Sequence, residues 1–556
     1  MAHKTRTHAE LAIRSELMSF QQRAIEMWRG SEKEGVVALV RALDTVAVTN
    51  LLGGSTRDSL QFAELMGAAA ALKPFLSAIK DQPGGVPWGA TRSDVARFAH
   101  SYLRCCGQLS HLRRMAALER YGLARSSITP TGILIESSYG APELTAWHAM
   151  STFKTLGAKE PLPGGESPQR ELRRLRKRMR EYVDVDPLYF IRYENDQKIV
   201  SAFERRARRL ADNFLEREAF PDDVAIGGRT FSEWKAACEQ ATGRVLAHIE
   251  FASILKTKRP DVSMENILTM FARRDDVSAV WAEAGLRPER IEPTMDALTL
   301  EIDGLDDWEN AYEIPCPFYV DLGKDFVLLP CLGALTNPYF ALFRHLKSTY
   351  HSDWDRGVDR REAVFRSDLR NAFGEPRYLV PQNGFRLRRP DGSTLTDVDA
   401  VMYDRRSGTL VLVQLKWHDV FGLSLAERES RKTNIVKANE WVGRVSAWVN
   451  GRSSTAVAQE LGLHTVESDK PPLLYVIARY SARFSGEHDQ DRRATWVGWP
   501  EVFHEIATCG TEDPLAELPS RVSQSQSRFS SLPETNVSFR FPSLAVDLRI
   551  SSPSIG

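Results

Sequence analysis

The chain has little cysteine: Cys105, Cys106, Cys238, Cys316, Cys331 and Cys509 show no CxxC spacing, and the one adjacent pair makes neither an ordinary disulfide nor half of a zinc knuckle. Reduced structural thiols are the expectation. Twelve histidines are scattered without HExxH, and neither GxxxxGK[ST] nor GxGxxG occurs, which leaves a zinc hydrolase and a P-loop nucleotide engine unsupported. Net charge is also missing, because 73 Lys and Arg balance 73 Asp and Glu. No chain-wide field draws in nucleic acid or anionic membrane, so a polyanion site must be a local patch. Long apolar runs are absent as well: MAHKTRTHAELAIRSELMSF has no signal-peptide core, and no run approaches the ~18 apolar residues of a membrane span. The expectation is a cytoplasmic protein without membrane contact.

What remains is ordinary globular material, 42% hydrophobic and 26% charged, enough apolar side chain to exclude global disorder. At roughly 150 residues per domain, 556 residues predict a multidomain α+β protein: a largely helical N-terminal region followed by a C-terminal α/β domain. Residues 1–157 read as a helical domain from apolar spacings of three and four. The Pro- and Gly-dense GAKEPLPGGES then marks a boundary, with Ser167 as N-cap and Pro168 at the first helical position. Residues 168–300 form a helical middle region, 301–357 a small β/α connecting segment, 358–510 the α/β domain, and 511–556 a Ser/Pro-rich tail that is mobile or lies across another domain.

The middle region opens on PQRELRRLRKRMREY, where Arg173, Arg174, Arg176, Lys177 and Arg178 belong to a local excess of five positive charges. Such a helix either turns a solvated face toward acidic neighbours or contacts a phosphate backbone.

Residues 358–510 carry the chemistry. Their coarse order is helix, three strands, helix, two strands. On the first helix, Glu362, Phe365, Leu369, Ala372 and Phe373 share one side, which places a carboxylate on or beside the core stripe. Glu362 either pairs with Arg360, Arg361 or Arg366 or joins a metal site. In TLTDVDAVMYD, alternation puts Asp397, Asp399, Val401 and Tyr403 on one face, and in TLVLVQLKW it puts Leu410, Leu412, Gln414 and Lys416 on one face. If Tyr403 pairs with Leu410, Asp399 faces Gln414 and Asp397 faces Lys416. Polar groups in such apolar surroundings are expensive unless grouped.

That set suits metal-assisted hydrolysis of a phosphodiester. Asp399, Gln414 and Glu362 would bind Mg²⁺ or Mn²⁺, and Lys416 would orient or deprotonate the attacking water and stabilise charge on the phosphorane. The order of elements, with Asp399 before a hairpin turn and Gln414-Leu415-Lys416 after it, resembles the PD-(D/E)XK, or restriction-endonuclease-like, nuclease superfamily. Its Gln-x-Lys form is similar to that of Mrr-like enzymes. The resemblance covers 358–510 only and implies a restriction-endonuclease-like αβββαβ core. It places the metal aspartate on Asp399, the second-strand acid or amide on Gln414, the lysine on Lys416 and the first-helix glutamate on Glu362. Asp397 has no required counterpart. No proline precedes Asp399, and Gln414 carries one negative charge fewer than the usual acid. Lys432, on the helix after Lys416, is either a surface lysine or an accessory group reaching the metal site or a phosphate.

Two functions follow as expectations. One is a metal-dependent nuclease on DNA, with RNA left open as the alternative, serving restriction, antiviral defence or repair, its helical N-terminal region recognising a substrate, a partner or a second copy. The other is a catalytically inactive module of the same fold that binds nucleic acid or assembles with other proteins.

Overall fold

A computed structural model describes the chain apart from residues 1–5, 54–58, 139–166, 187–189, 303–304, 306–316, 418–424, 483–488, 528–533 and 552–556, and single positions 81, 83, 84, 86–88, 301, 324, 481 and 508. The protein is mixed α+β, helical toward its N-terminus, with its largest sheet near the C-terminus.

The apolar spacing of the first residues becomes five helices: α1 (His8–Met27), α2 (Glu32–Gly53), α3 (Ser59–Met66), α4 (Ala68–Ile79) and α5 (Ser93–Ala117). The Thr7 hydroxyl caps α1 by accepting the Glu10 N–H at 3.2 Å. Between α3 and α4, a Cβ on Gly67 would lie 2.0 Å from the Leu103 carbonyl, so glycine is what lets this bend touch α5. By length and composition Leu60–Ile79 qualifies as a membrane span, contrary to the expectation from the sequence, but 67% of that window is buried and Gly67 interrupts the helix.

A hairpin of β1 (Ala124–Thr129) and β2 (Gly132–Ser138) follows. The middle region holds α6 (Pro168–Tyr182), α7 (Gln197–Ala211) and α8 (Phe231–Lys258) around one apolar core. Ser167 accepts the Arg170 N–H at 3.3 Å, as the Ser-Pro start of α6 predicts. Of the sequence-defined boundary, 157–166 lies outside the described residues.

One long helix, α9 (His351–Ala372), leaves this core for the C-terminal domain. Trp354 packs edge-on against Phe220 at 4.7 Å at one end, and Phe365 and Leu369 are fully buried under the C-terminal sheet at the other. The helix therefore begins before residue 358, where the sequence places the start of the α/β domain. Its buried face is Trp354, Arg361, Phe365 and Leu369, while Glu362 and Ala372 are exposed. Arg361 counts as core because its Nε donates to the Ala219 carbonyl at 2.8 Å and its guanidinium plane lies over Phe220 at 4.3 Å.

The C-terminal strands are β3 (Tyr378–Leu379), β4 (Phe385–Arg388), β5 (Thr394–Val398), β6 (Ala400–Asp404), β7 (Thr409–Lys416), β8 (Leu473–Ala478) and β9 (Thr495–Gly498). Five form one sheet in the order β3-β6-β7-β8-β9, antiparallel as far as β7 and parallel beyond it. Among the described residues, strands β4 and β5 pair only with each other, as a two-stranded ribbon. Helix α10 (Leu425–Val449) covers one face through Ile435, Ala438, Val442 and Val445. The other face is covered by α9, α11 (Trp499–Ala507) and α12 (Pro514–Ser527). Buried on both faces, β7 reads as the near-continuous apolar run TLVLV that such a position requires.

Residues 511–556 are not a loose tail where they are described. Leu515, Leu518 and Val522 of α12 enter the core beneath the sheet, and β10 (Thr535–Arg540) and β11 (Ala545–Ser551) return to the N-terminal region. There β11 runs parallel to β2, giving the order β1-β2-β11-β10 and burying Val546 and Leu548. Serine-rich composition over the whole segment conceals this short alternation of apolar residues.

Candidate active site

Alternation along β5 and β6 slips at Asp399. Val398 shares a core with Val401 and Tyr403, whereas Ala400 and Met402 face the opposite one, so the chain kinks between the two strands. Backbone bonds pin the kink: the Asp399 N–H donates to Val413 O at 3.1 Å, and the Arg366 guanidinium donates to the Asp399 carbonyl. Tyr403 lies opposite Leu410 and Ala400 opposite Val413, the predicted register. Asp399 accordingly meets Gln414. Its Oδ2 accepts the Leu415 N–H at 2.7 Å and the Gln414 amide, and the residue is only 5% exposed.

Asp397 goes elsewhere. Beyond the kink β5 has left the sheet to pair with β4, so Asp397 stands opposite Arg386, exposed, and not opposite Lys416. The expectation failed because it carried one alternation straight through residue 399.

Burial first, and the nearby charge of Glu362 second, push the Asp399 carboxyl up to about 6, against the stabilising Leu415 N–H, Lys416 and Gln414. Lys416, half-buried on the face that Gln414 shares, is held below the usual lysine range by burial, while Asp399 and Glu362 oppose that shift. Glu362 thus belongs to the same electrostatic cluster although its side chain is 51% exposed. Of its three possible partners, Arg366 takes it, one helical turn on.

Two contributors escaped the sequence reading, and a third was foreseen only in part: Arg366, only 15% exposed, was expected as a possible partner of Glu362, but its bond to the Asp399 carbonyl was not. Lys437 is exposed on α10, and its charge disfavours the protonated form of Lys416. Arg479 fastens the end of β7: its N–H donates to Lys416 O at 2.8 Å, its guanidinium stacks on Trp417 at 4.6 Å, and it bonds Asp368 at 2.7 Å and Glu218 at 3.0 Å. No sequence pattern brings residue 479 to 218. Lys432 lies on α10, but its side chain is outside the described residues, as are His418 and Asp419.

Among the described residues no group of three His, Cys, Asp or Glu side chains is close enough to cage a metal ion. The donor set here is sparser: one buried carboxylate whose two hydrogen bonds both fall on Oδ2, the Gln414 amide oxygen, and Glu362 shared with Arg366. Such a set fits a hard cation that keeps most of its waters and takes one or two carboxylates, and does not fit a closed cage.

The basic helix is a separate feature. Arg173, Arg174, Arg176 and Lys177 are exposed on α6 and Arg178 is half-buried, but Arg176 pairs with Glu250 and Arg178 with Asp196. From α7, Arg205 reaches back to Glu171 of α6. Much of the positive charge on these two helices therefore meets acids of the same core. Comparison with family models, curated proteins and solved structures returns no match, so chemistry and geometry alone carry the functional reading.

Proposed function

We propose that the chain is a divalent-metal-dependent nuclease hydrolysing DNA phosphodiester bonds, with its site at the Asp399 kink and the end of β7, on a PD-(D/E)XK-like domain. The observation that carries this reading is the combination at one point of a buried carboxylate, an amide and a half-buried lysine: Asp399 bound by Gln414 and Leu415, with Lys416 acting on it electrostatically. Hydrophobic sheet cores seldom hold such a set without partners that neutralise it, and functional sites are where perturbed groups gather.

Asp399, the Gln414 oxygen and Glu362 would hold Mg²⁺ or Mn²⁺, which when bound supplies Lewis-acid polarisation of the phosphate and lowers the pKa of a bound water. Gln414 also acts on Asp399 directly. Where a carboxylate would repel Asp399, the Gln414 amide donates to Oδ2 and fixes the carboxylate's orientation. Lys416, poorly solvated, is suited to orient the attacking water, accept its proton when neutral, or stabilise developing charge on the phosphorane when protonated. Arg366 holds the kink and neutralises Glu362 until a stronger cation competes for it.

One observation favours the second reading, a nucleic-acid-binding module without catalysis: Glu362 is already engaged by Arg366. Cleavage of supercoiled, linear and single-stranded DNA and of RNA, with Mg²⁺, Mn²⁺ or EDTA, separates the two. The nuclease reading expects metal-dependent cutting lost in Asp399→Ala and Lys416→Ala with the fold retained. A wild-type protein that binds DNA and cuts nothing under any metal supports the module.

A further inference from the structure

The ribbon of β4 and β5 enters Asp399 directly, since β5 ends at Val398. Its two faces differ. Phe385, Leu387 and Val398 turn into the core beneath α10, and Trp441 of α10 donates to the Asp397 carbonyl at 2.6 Å, so the base of the ribbon is anchored. Gln414 and Lys416 share this side of the sheet with Leu410 and Leu412. The other face of the ribbon carries Arg386 and Arg388, Arg389 begins its turn, and residues 388–394 are exposed throughout.

These three arginines are unlike Arg176 and Arg178 of α6, which pair with Glu250 and Asp196. Among the described residues none forms an ion pair with a carboxylate. Arg388 and Arg389 spend their donors on the ribbon itself, with Arg388 Nη1 to Gly392 O at 3.0 Å and Arg389 Nη1 to Thr394 O at 2.9 Å, which positions the guanidiniums without neutralising them. The acid in the turn, Asp391, bonds the Ser393 N–H at 2.9 Å and hydroxyl at 2.6 Å, and it feels the Arg389 charge less than those bonds and without an ion pair. Asp397, opposite Arg386 in the register, forms no ion pair with it.

We infer that the β4–β5 ribbon is a duplex-DNA contact arm, with Arg386, Arg388 and Arg389 gripping the phosphate backbone and leading the strand to Asp399. The inference rests on the proposal that the site acts on nucleic acid. Duplex DNA is the occupant that fits, because the B-form major groove admits a two-stranded ribbon, whereas the deep, narrow major groove of A-form RNA does not. Exposed cationic side chains that form no ion pair supply the sequence-independent part of such binding through counterion release.

The test uses the full chain and fluorescence anisotropy with a labelled duplex DNA, its single strand and a duplex RNA, in EDTA and again in Ca²⁺, across about 50 to 200 mM salt. Wild type is compared with Arg386→Gln/Arg388→Gln/Arg389→Gln, and with Arg176→Gln/Arg178→Gln on α6, whose charges already meet Glu250 and Asp196. The ribbon variant should bind duplex DNA at least about tenfold more weakly, with the slope of log affinity against log salt reduced by about 3. The α6 variant should stay within about twofold of wild type. Circular dichroism and melting of the triple variant and of single Arg386→Gln confirm folding, and a misfolded triple variant passes the decision to the single one, expected to lose about one unit of slope. Unchanged affinity and slope in a folded variant overturn the inference, as does a wild type that binds no duplex DNA or prefers duplex RNA. Cleavage in Mg²⁺ is scored separately. Binding lost in the ribbon variant while wild type never cuts upholds the arm and removes the nuclease. Cutting and binding retained by the ribbon variant remove the arm and leave the nuclease.

Discussion

Two buried aspartates in different regions solve the same problem differently. Asp44 of α2 is fully buried and pushed up to about 7 by burial, and it spends its oxygens evenly: Oδ2 accepts the Thr269 hydroxyl at 2.6 Å and Oδ1 the Leu332 N–H at 2.9 Å. Those bonds tie the first helical core to the middle region and to the connecting segment, and only neutral donors hold the carboxyl. Asp399 is nearly as buried, but both its bonds fall on one oxygen and two charged groups, Glu362 and Lys416, act on it. Burial alone is therefore a poor marker of chemistry. An unevenly satisfied carboxylate among other titratable groups is a better one.

The largest effect expected from this contrast is on catalysis. Asp399→Asn and Lys416→Ala should each lower cleavage by about 10³-fold or more, since each removes a group acting on the charge that develops at phosphorus, while Asp44→Asn should leave the rate per folded molecule unchanged. Single-turnover assays on folded protein decide it. An Asp44→Asn protein that is folded but inactive would break the contrast outright.

Next comes a third buried aspartate, Asp404, 0% exposed and held by Arg377 at 2.7 Å. Here a charge supplies the satisfaction that neutral donors give Asp44. Arg377→Ala should destabilise the C-terminal domain by roughly 3 kcal/mol, the low end for a broken buried pair because Arg377 is itself partly exposed. Urea unfolding followed by tryptophan fluorescence measures this. No loss of stability would mean that Asp404 is carried by its turn, where it also accepts the Arg406 N–H at 3.0 Å.

Asp44 makes the third prediction. Its folded-state pKa lies above the unfolded value near 4, so the folded form holds a proton that the unfolded form releases between about pH 4 and 7. Stability from this site is consequently greatest at low pH and falls as pH rises through that window. Asp44→Asn keeps a neutral side chain at every pH, so wild type minus variant should decline by about 3 kcal/mol from pH 4.5 to 7.5. A flat difference would show Asp44 ionised as readily when folded as when unfolded.

Much of the C-terminal domain was legible in its residues. The apolar run of β7, the Tyr403–Leu410 register and the inner stripe of α10 are local patterns of period two or between three and four, and they placed Asp399 against Gln414 correctly. What was not legible depended on a break or on distance along the chain. A single kink at Asp399 moved Asp397 to the ribbon, and the burial of Arg361 against Phe220 required knowing which distant segment lay beside α9. Asp44 gave no signal at all, because its partners lie more than two hundred residues away in sequence. The return of β11 to β2 is a pairing of the same kind, and the basic helix left two alternatives open because its acidic partners lie far off in sequence.

That helix supplies the smallest expected effect. Arg176 and Glu250 form an ion pair in which the arginine is 50% exposed and the glutamate 10%, so solvent screens most of the attraction and two long side chains must be ordered to gain it. A double-mutant cycle with Arg176→Ala and Glu250→Ala should give a coupling of about 0.5 to 1 kcal/mol that shrinks as salt is raised. The same cycle on Arg377 and Asp404 should give several times that and respond little to salt, because one partner is fully buried. Equal couplings would mean that depth of burial does not set the worth of a charge in this protein, and the reading of Asp399 as a site held apart from ordinary ion pairs would lose its physical basis.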